Sequence, residues 1–146
     1  KERLMITKNV LETELQNIQS NFLKGIIIRT LPNSTSKKNR DYMKRNPPFF
    51  NIAAIEYLVS LGIQHLLVDI PSVDPLLDNG RLSAHNSFWE TKKRKYNPKT
   101  KSKTITEMIF VPDYVKDGVF LLNLQIPPFV SDAAPSRPII YKINEI

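Results

Sequence analysis

Apolar and polar positions alternate along the chain in a way that predicts a layered α/β arrangement. Asn9 can cap a helix, with Glu12 three residues on to complete a capping box. Leu11, Leu15, Ile18 and Phe22 then recur at helical spacing and give one apolar face. Gly25 ends that periodicity and opens GIIIRTL, residues 25–31, a β-branched run suited to a buried strand. Residues 32–48 are polar, basic and rich in turn formers, and read as a surface loop. Asn51 can cap a second helix with Ile55, Leu58 and Leu61 on one side and Gly62 as a left-handed stop. IQHLLVD, residues 63–69, follows at once as another strand, and helix, glycine and buried strand in that order predict α/β layers. Two late runs, 118–126 and 137–143, also read as strands, the first ended by Pro127 and Pro128. No internal repeat is visible, and 1–146 reads as a single segment.

Composition narrows the class. The 146 residues are 41% hydrophobic and 24% charged, the profile of a folded globular chain. No apolar run approaches the roughly 20 residues of a membrane-spanning helix, so no membrane partner is expected. No basic-then-apolar leader opens the sequence. Without cysteine, disulfides and thiolate metal sites are excluded. The net charge of +7 is concentrated in residues 91–103, which carry Lys92, Lys93, Arg94, Lys95, Lys99, Lys101 and Lys103 and no acidic residue. The remainder is balanced, whereas a nucleic-acid-binding surface spreads its basic residues more widely, so nucleic acid is disfavoured as a partner. Asn97, Pro98 and the lack of apolar periodicity make this segment a solvated loop.

Candidate chemistry gathers where strand 63–69 runs into a loop. Asp69, Ser72, Asp74, Asp78, His85 and Trp89 lie within that stretch. Asp69, Ser72 and Asp74 can accept backbone hydrogen bonds and shape the loop. A neutral imidazole at His85 is a good ligand for zinc and similar ions, and Glu107 is an available carboxylate companion. The alternative is that His85 is a partly buried hydrogen-bonding residue and Glu107 a surface charge. Phe88 and Trp89 can line a pocket for an aromatic substrate or pack in the core. His65, inside a strand pattern, reads as an ordinary sheet residue. No P-loop, dinucleotide-binding glycine pattern or nucleophile elbow is present.

Read together, Asp69-Ile-Pro-Ser-Val-Asp74-Pro75 and Leu82-Ser-Ala-His85 resemble the D-T-x-S-V-D-P … A-H signature of the cyclase family, which includes bacterial kynurenine formamidases and related metal-dependent hydrolases. Residues 47–69 resemble the helix and strand leading into that signature, and GIIIRTL the strand before them. The stretch from Asp117 to Tyr141, with Asp132, Pro135 and Arg137 at a D-x-x-P-x-R turn, resembles the closing pair of strands. The resemblance implies a swivelling β/β/α-type fold with a mixed sheet packed by helices. It also implies hydrolysis of an amide, formamide or lactam bond in a small-molecule substrate, at a site holding one or two zinc or manganese ions. His85 matches the family's histidine ligand. The glutamate ligand comes sooner after it in typical members; here position 97 is Asn97 and Glu107 begins the matching apolar stretch, so part of 91–103 is read as an insertion. Asp69, Ser72 and Asp74 would support the ligands from behind.

Family members also carry an upstream H-x-G-T-H-x-D-like motif that supplies further ligands and the catalytic acid/base. Nothing similar occurs here, so the chain is expected to be the C-terminal part of a longer protein, with its catalytic residues upstream of Lys1 and little activity alone. The resemblance further implies a cytoplasmic homo-oligomer. The rival reading is a non-catalytic module of the same fold that binds an anionic partner through 91–103.

Overall fold

A computed structural model describes residues 4–18, 24–44, 46–91, 95 and 97–143. The chain divides after Pro112 into two units.

In the first unit, β1 (Met5–Ile6) leads into α1 (Lys8–Leu15). The cap is Thr7 rather than Asn9: Thr7 is extended and its hydroxyl accepts the Val10 amide, while Asn9 already lies inside the helix. Leu11 is buried and Leu15 packs on the core, but Ile18 is exposed. Phe22 lies outside the described residues. The strand expected over 25–31 is shorter, β2 (Gly25–Ile28), because Arg29 and Thr30 turn away to hydrogen-bond Pro112 and Asp69. The expected surface loop 32–48 contains two short 3-10 turns, Thr35–Asn39 and Tyr42–Lys44, and buries Lys37. β3 (Phe49–Phe50) pairs in parallel with β1.

Asn51 caps α2 (Ile52–Ser60) by accepting the Ala54 amide, as expected. Gly62, at φ +80°, makes the left-handed turn that leads into β4 (His65–Val68). β4 is the centre of a three-stranded sheet of order β2-β4-β5, with β5 at Thr104–Thr106 and both pairings parallel. A central parallel strand is covered on both faces, and Leu66, Leu67 and Val68 are accordingly buried. Ala54, Ile55 and Leu58 of α2 join Leu66, Val68, Ile70 and Val73 in the core, with Ala84 and Phe88 of α3 (Ser83–Phe88).

The second unit holds β6 (Phe120–Gln125) and β7 (Arg137–Lys142), an antiparallel pair in the register Phe120–Lys142 to Gln125–Arg137. Phe120, Leu122 and Leu124 share one face with Ile140 and Pro138, yet none of residues 113–143 is buried. The fold is thus α/β with parallel and antiparallel pairings in separate sheets. Among the described residues, no helix is long and apolar enough to cross a membrane.

Candidate functional site

The site is assembled at the carboxyl end of β4. Just past the strand, buried Asp69 accepts the Thr30 amide at 2.9 and 3.0 Å, the Thr30 hydroxyl at 2.9 Å and the Lys37 ammonium at 2.7 Å. Lys37 Nζ also donates to Thr30 O and Thr30 Oγ1. This cluster ties the exits of β2 and β4 together. Asp69 thereby braces the loop and does not reach His85 directly. Lys37 had no sequence signal, being one lysine among several in a polar stretch.

Downstream, the Ser72 hydroxyl accepts the Asp74 amide, and Val73 O accepts the Phe50 amide. Beyond β5 the chain keeps running alongside: the Met108 amide donates to Ile70 O and the Ile109 amide to Val68 O. Glu107 is therefore delivered to the turn, where Oε1 accepts the Val73 amide at 2.8 Å. The same sheet pairing explains His65, whose Nδ1 meets Thr104 Oγ1 of the neighbouring strand, in keeping with its reading as a sheet residue.

His85 comes from α3. Leu82, at the start of that helix, is in the left-handed region at φ +48° and offers no side-chain cap. Asp74 supplies the missing acceptors from outside: it accepts the Ala84 amide at 2.7 Å, the His85 amide at 3.2 Å and His85 Nδ1 at 2.7 Å. Asp78 accepts the Gly80 and Leu82 amides and shapes the approach. The outcome places His85 Nε2 3.5 Å from Glu107 Oε1, although the two residues stand 22 positions apart in the sequence with the basic segment between them.

Charge follows geometry. Burial pushes the His85 imidazole down, but the Asp74 hydrogen bond and the negative charges of Glu107, Asp74 and Asp78 outweigh it and hold the group above the ordinary histidine value. Burial also pushes Asp74 up, and its hydrogen bonds from the His85 ring and the Ala84 and His85 amides outweigh this and keep it low. At Glu107 burial prevails, despite the Val73 amide, the His85 charge and the Ser72 hydroxyl, and the carboxyl titrates above the usual glutamate range.

These donors suit a divalent ion. With Nδ1–H committed to ionised Asp74, a neutral His85 turns its Nε2 lone pair toward the Glu107 carboxylate, and two facing acceptors need a cation or a proton between them. Ligand bonds of about 2.0–2.2 Å at a tetrahedral angle put two donor atoms about 3.4 Å apart, close to the 3.5 Å found. Among the described residues there is no group of three or more His, Cys, Asp or Glu able to hold a metal, so these residues bring two donors together, His85 Nε2 and Glu107 Oε1.

The two candidate aromatics separate. Phe88 is fully buried in the core and lines no accessible surface. Trp89 is partly exposed, its ring centroid 5.6 Å from that of His85, with Nε1 donating to Lys103 O. Lys103 departs from its reading as a solvated charge: it is 8% exposed and donates to Phe88 O and Glu90. Lys95, Lys99 and Lys101 are exposed, and Lys92, Lys93 and Arg94 lie outside the described residues.

The fold of this chain recurs in solved structures of low sequence identity. It superposes on a solved protein described as a predicted metal-dependent hydrolase from Bacillus stearothermophilus, with a TM-score of 0.59 and 18% identity over 93% of this chain and 56% of that one. A potential metal-dependent hydrolase with cyclase activity gives a TM-score of 0.59 and 19% identity over 93% and 57%. A relative by sequence is kynurenine formamidase of Bacillus cytotoxicus, 29% identical over 128 residues, which are 87% of this chain and 54% of that protein. No family model matches the chain. These likenesses support the assignment to the cyclase family of metal-dependent hydrolases, and the chain spans little more than half the length of the relatives it matches.

Proposed function

We propose that this chain contributes His85 and Glu107 to the divalent-metal site of a hydrolase acting on an amide, formamide or lactam bond. The observation that carries the reading is the 3.5 Å approach of Nε2 and Oε1, with Asp74 fixing the imidazole from its other side. The name of the formamidase relative favours a formamide among the three bonds. Zinc or manganese suits a nitrogen and carboxylate donor set. When bound, the ion would lower the pKa of a coordinated water to about 7 and stabilise the oxyanion that develops on the carbonyl.

The chain's own residues do the positioning. Asp74 holds the imidazole in the tautomer with a free Nε2. The Val73 amide orients Glu107, the Ser72 hydroxyl closes the turn, and Trp89 stands beside His85 as a wall for a planar part of the substrate. Two donors bind an ion weakly, so the remaining ligands and the proton-transferring group come from residues other than those described here. A cytoplasmic setting and assembly of like subunits complete the proposal.

Calorimetric titration of the chain with Zn²⁺ and Mn²⁺ tests it, alongside His85→Ala and Glu107→Gln variants checked for folding by circular dichroism. The expected result is weak binding that either substitution abolishes. Tight binding to the chain alone, or binding that both variants retain, would overturn the assignment.

A further inference from the structure

We propose that the pocket between Trp89 and the 97–101 turn is a second ligand site, suited to a small planar aromatic anion. The cavity has a volume of about 250 Å³ and is lined by Trp89, Thr91, Asn97, Thr100 and Lys101, without His85 or Glu107. Drug-sized ligands occupy about 300–1,000 Å³, so this space takes a single ring with a carboxylate.

The pocket is framed in advance. Trp89 Nε1 donates to Lys103 O at 2.9 Å, and the Thr100 hydroxyl donates to Trp89 O at 2.7 Å. Lys103 Nζ fastens the same segment to Phe88 O and Glu90, each at 3.0 Å. Thr100 and Lys103 are 4% and 8% exposed, so the segment is pinned to the end of α3 by buried groups. With its N–H committed, the indole offers the cavity carbon surface, which favours a stacked or edge-on ring.

Charge selects the anion. Residues 91–103 contain no acidic residue, and the nearby Glu90 is already paired with Lys103. Lys101 lines the cavity, is exposed, and forms no ion pair among the described residues. Asn97 Oδ1 accepts the Lys99 amide, so the Nδ2 hydrogens are the donors this side chain has left for a ligand oxygen. A ring without charge forgoes Lys101, and inorganic phosphate forgoes the indole.

Trp89 is the sole tryptophan, so its fluorescence reads the pocket directly. The test titrates the whole chain with benzoate, benzyl alcohol, cyclohexanecarboxylate and inorganic phosphate, in chelator to keep the metal site empty. Benzoate should saturate and be weakened by added salt. Benzyl alcohol should bind about threefold to fivefold less tightly, the scale of one screened charge contact. Cyclohexanecarboxylate should bind about threefold to tenfold less tightly, the scale of one aromatic contact. Lys101→Met, at an exposed position, should remove the preference for benzoate over benzyl alcohol, whereas Glu107→Gln, outside the pocket lining, should keep full benzoate affinity. Absence of saturation, equal response to phosphate, an unchanged Lys101→Met variant, or loss of binding in Glu107→Gln would overturn the proposal. The last outcome would locate the ligand at the His85–Glu107 pair instead, and none of these results depends on metal binding there.

Discussion

Asp74→Asn is the substitution that tests the site most directly. The Asp74 side chain is 2% exposed and accepts three hydrogen bonds, from the Ala84 amide, the His85 amide and His85 Nδ1. Asparagine keeps one carbonyl oxygen, enough for the helix amides, but sets an NH₂ or an uncharged oxygen against the imidazole. Bonds to a charged group contribute about 1.5–3 kcal/mol each, and only part of that survives in the amide. The expected loss at neutral pH is therefore about 3 kcal/mol, or a fall of about 2 M in urea midpoint for a chain of this size. The Asp74 carboxyl titrates below its ordinary value when folded, so its contribution is present above the unfolded value and disappears as the pH falls through the folded one. The gap between wild type and variant should accordingly close in strong acid. NMR titration of the imidazole should show His85 above the ordinary value of about 6.5 in wild type and lower in the variant, where burial is opposed by Glu107 and Asp78 but no longer by Asp74. Equal stabilities at neutral pH, or a gap that persists in strong acid, would refute the role given to Asp74.

Lys37→Met should destabilise by about 3–5 kcal/mol by leaving buried Asp69 without its cation, and adding Asp69→Asn should restore part of the loss in urea denaturation. Phe88→Ala should cost about 3–5 kcal/mol as a core cavity forms. Gly62→Ala meets no atom within 4 Å, so a loss of about 1–2 kcal/mol would come from the left-handed backbone alone. Both His85 and Glu107 hold protons above their ordinary values, so metal uptake should weaken as the pH falls and release protons near neutrality. Calorimetry in buffers of different ionisation enthalpy checks this, and a pH-independent affinity would count against it.

Where sequence and structure agree, local rules were sufficient. Asn51, the apolar face of α2, Gly62 and the apolar run of β4 sit in one continuous stretch and needed no distant partner. At α1, Thr7 and Asn9 are both good caps by residue type, and β1 before Thr7 decides between them. The Asp74–His85 contact was half legible: both residues stood out, but the way Asp74 serves a helix that lacks its own cap did not. The burial of Lys37 and Lys103 was not legible at all. Their carbonyl and carboxylate acceptors are supplied by tertiary folding, and a lysine in a basic run carries no mark of that.

The strand order has a kinetic consequence. Gly25 pairs with His65, and His65 with Thr104, so each edge of the sheet requires closure of a long loop. α2 and β4 are adjacent in sequence and can dock early across the Gly62 turn. Substitutions there should slow refolding, whereas those on β5 should mainly hasten unfolding. Glu107 follows β5, so the His85–Glu107 pair is a late event in folding, and any ion held between them would act chiefly as a brake on unfolding.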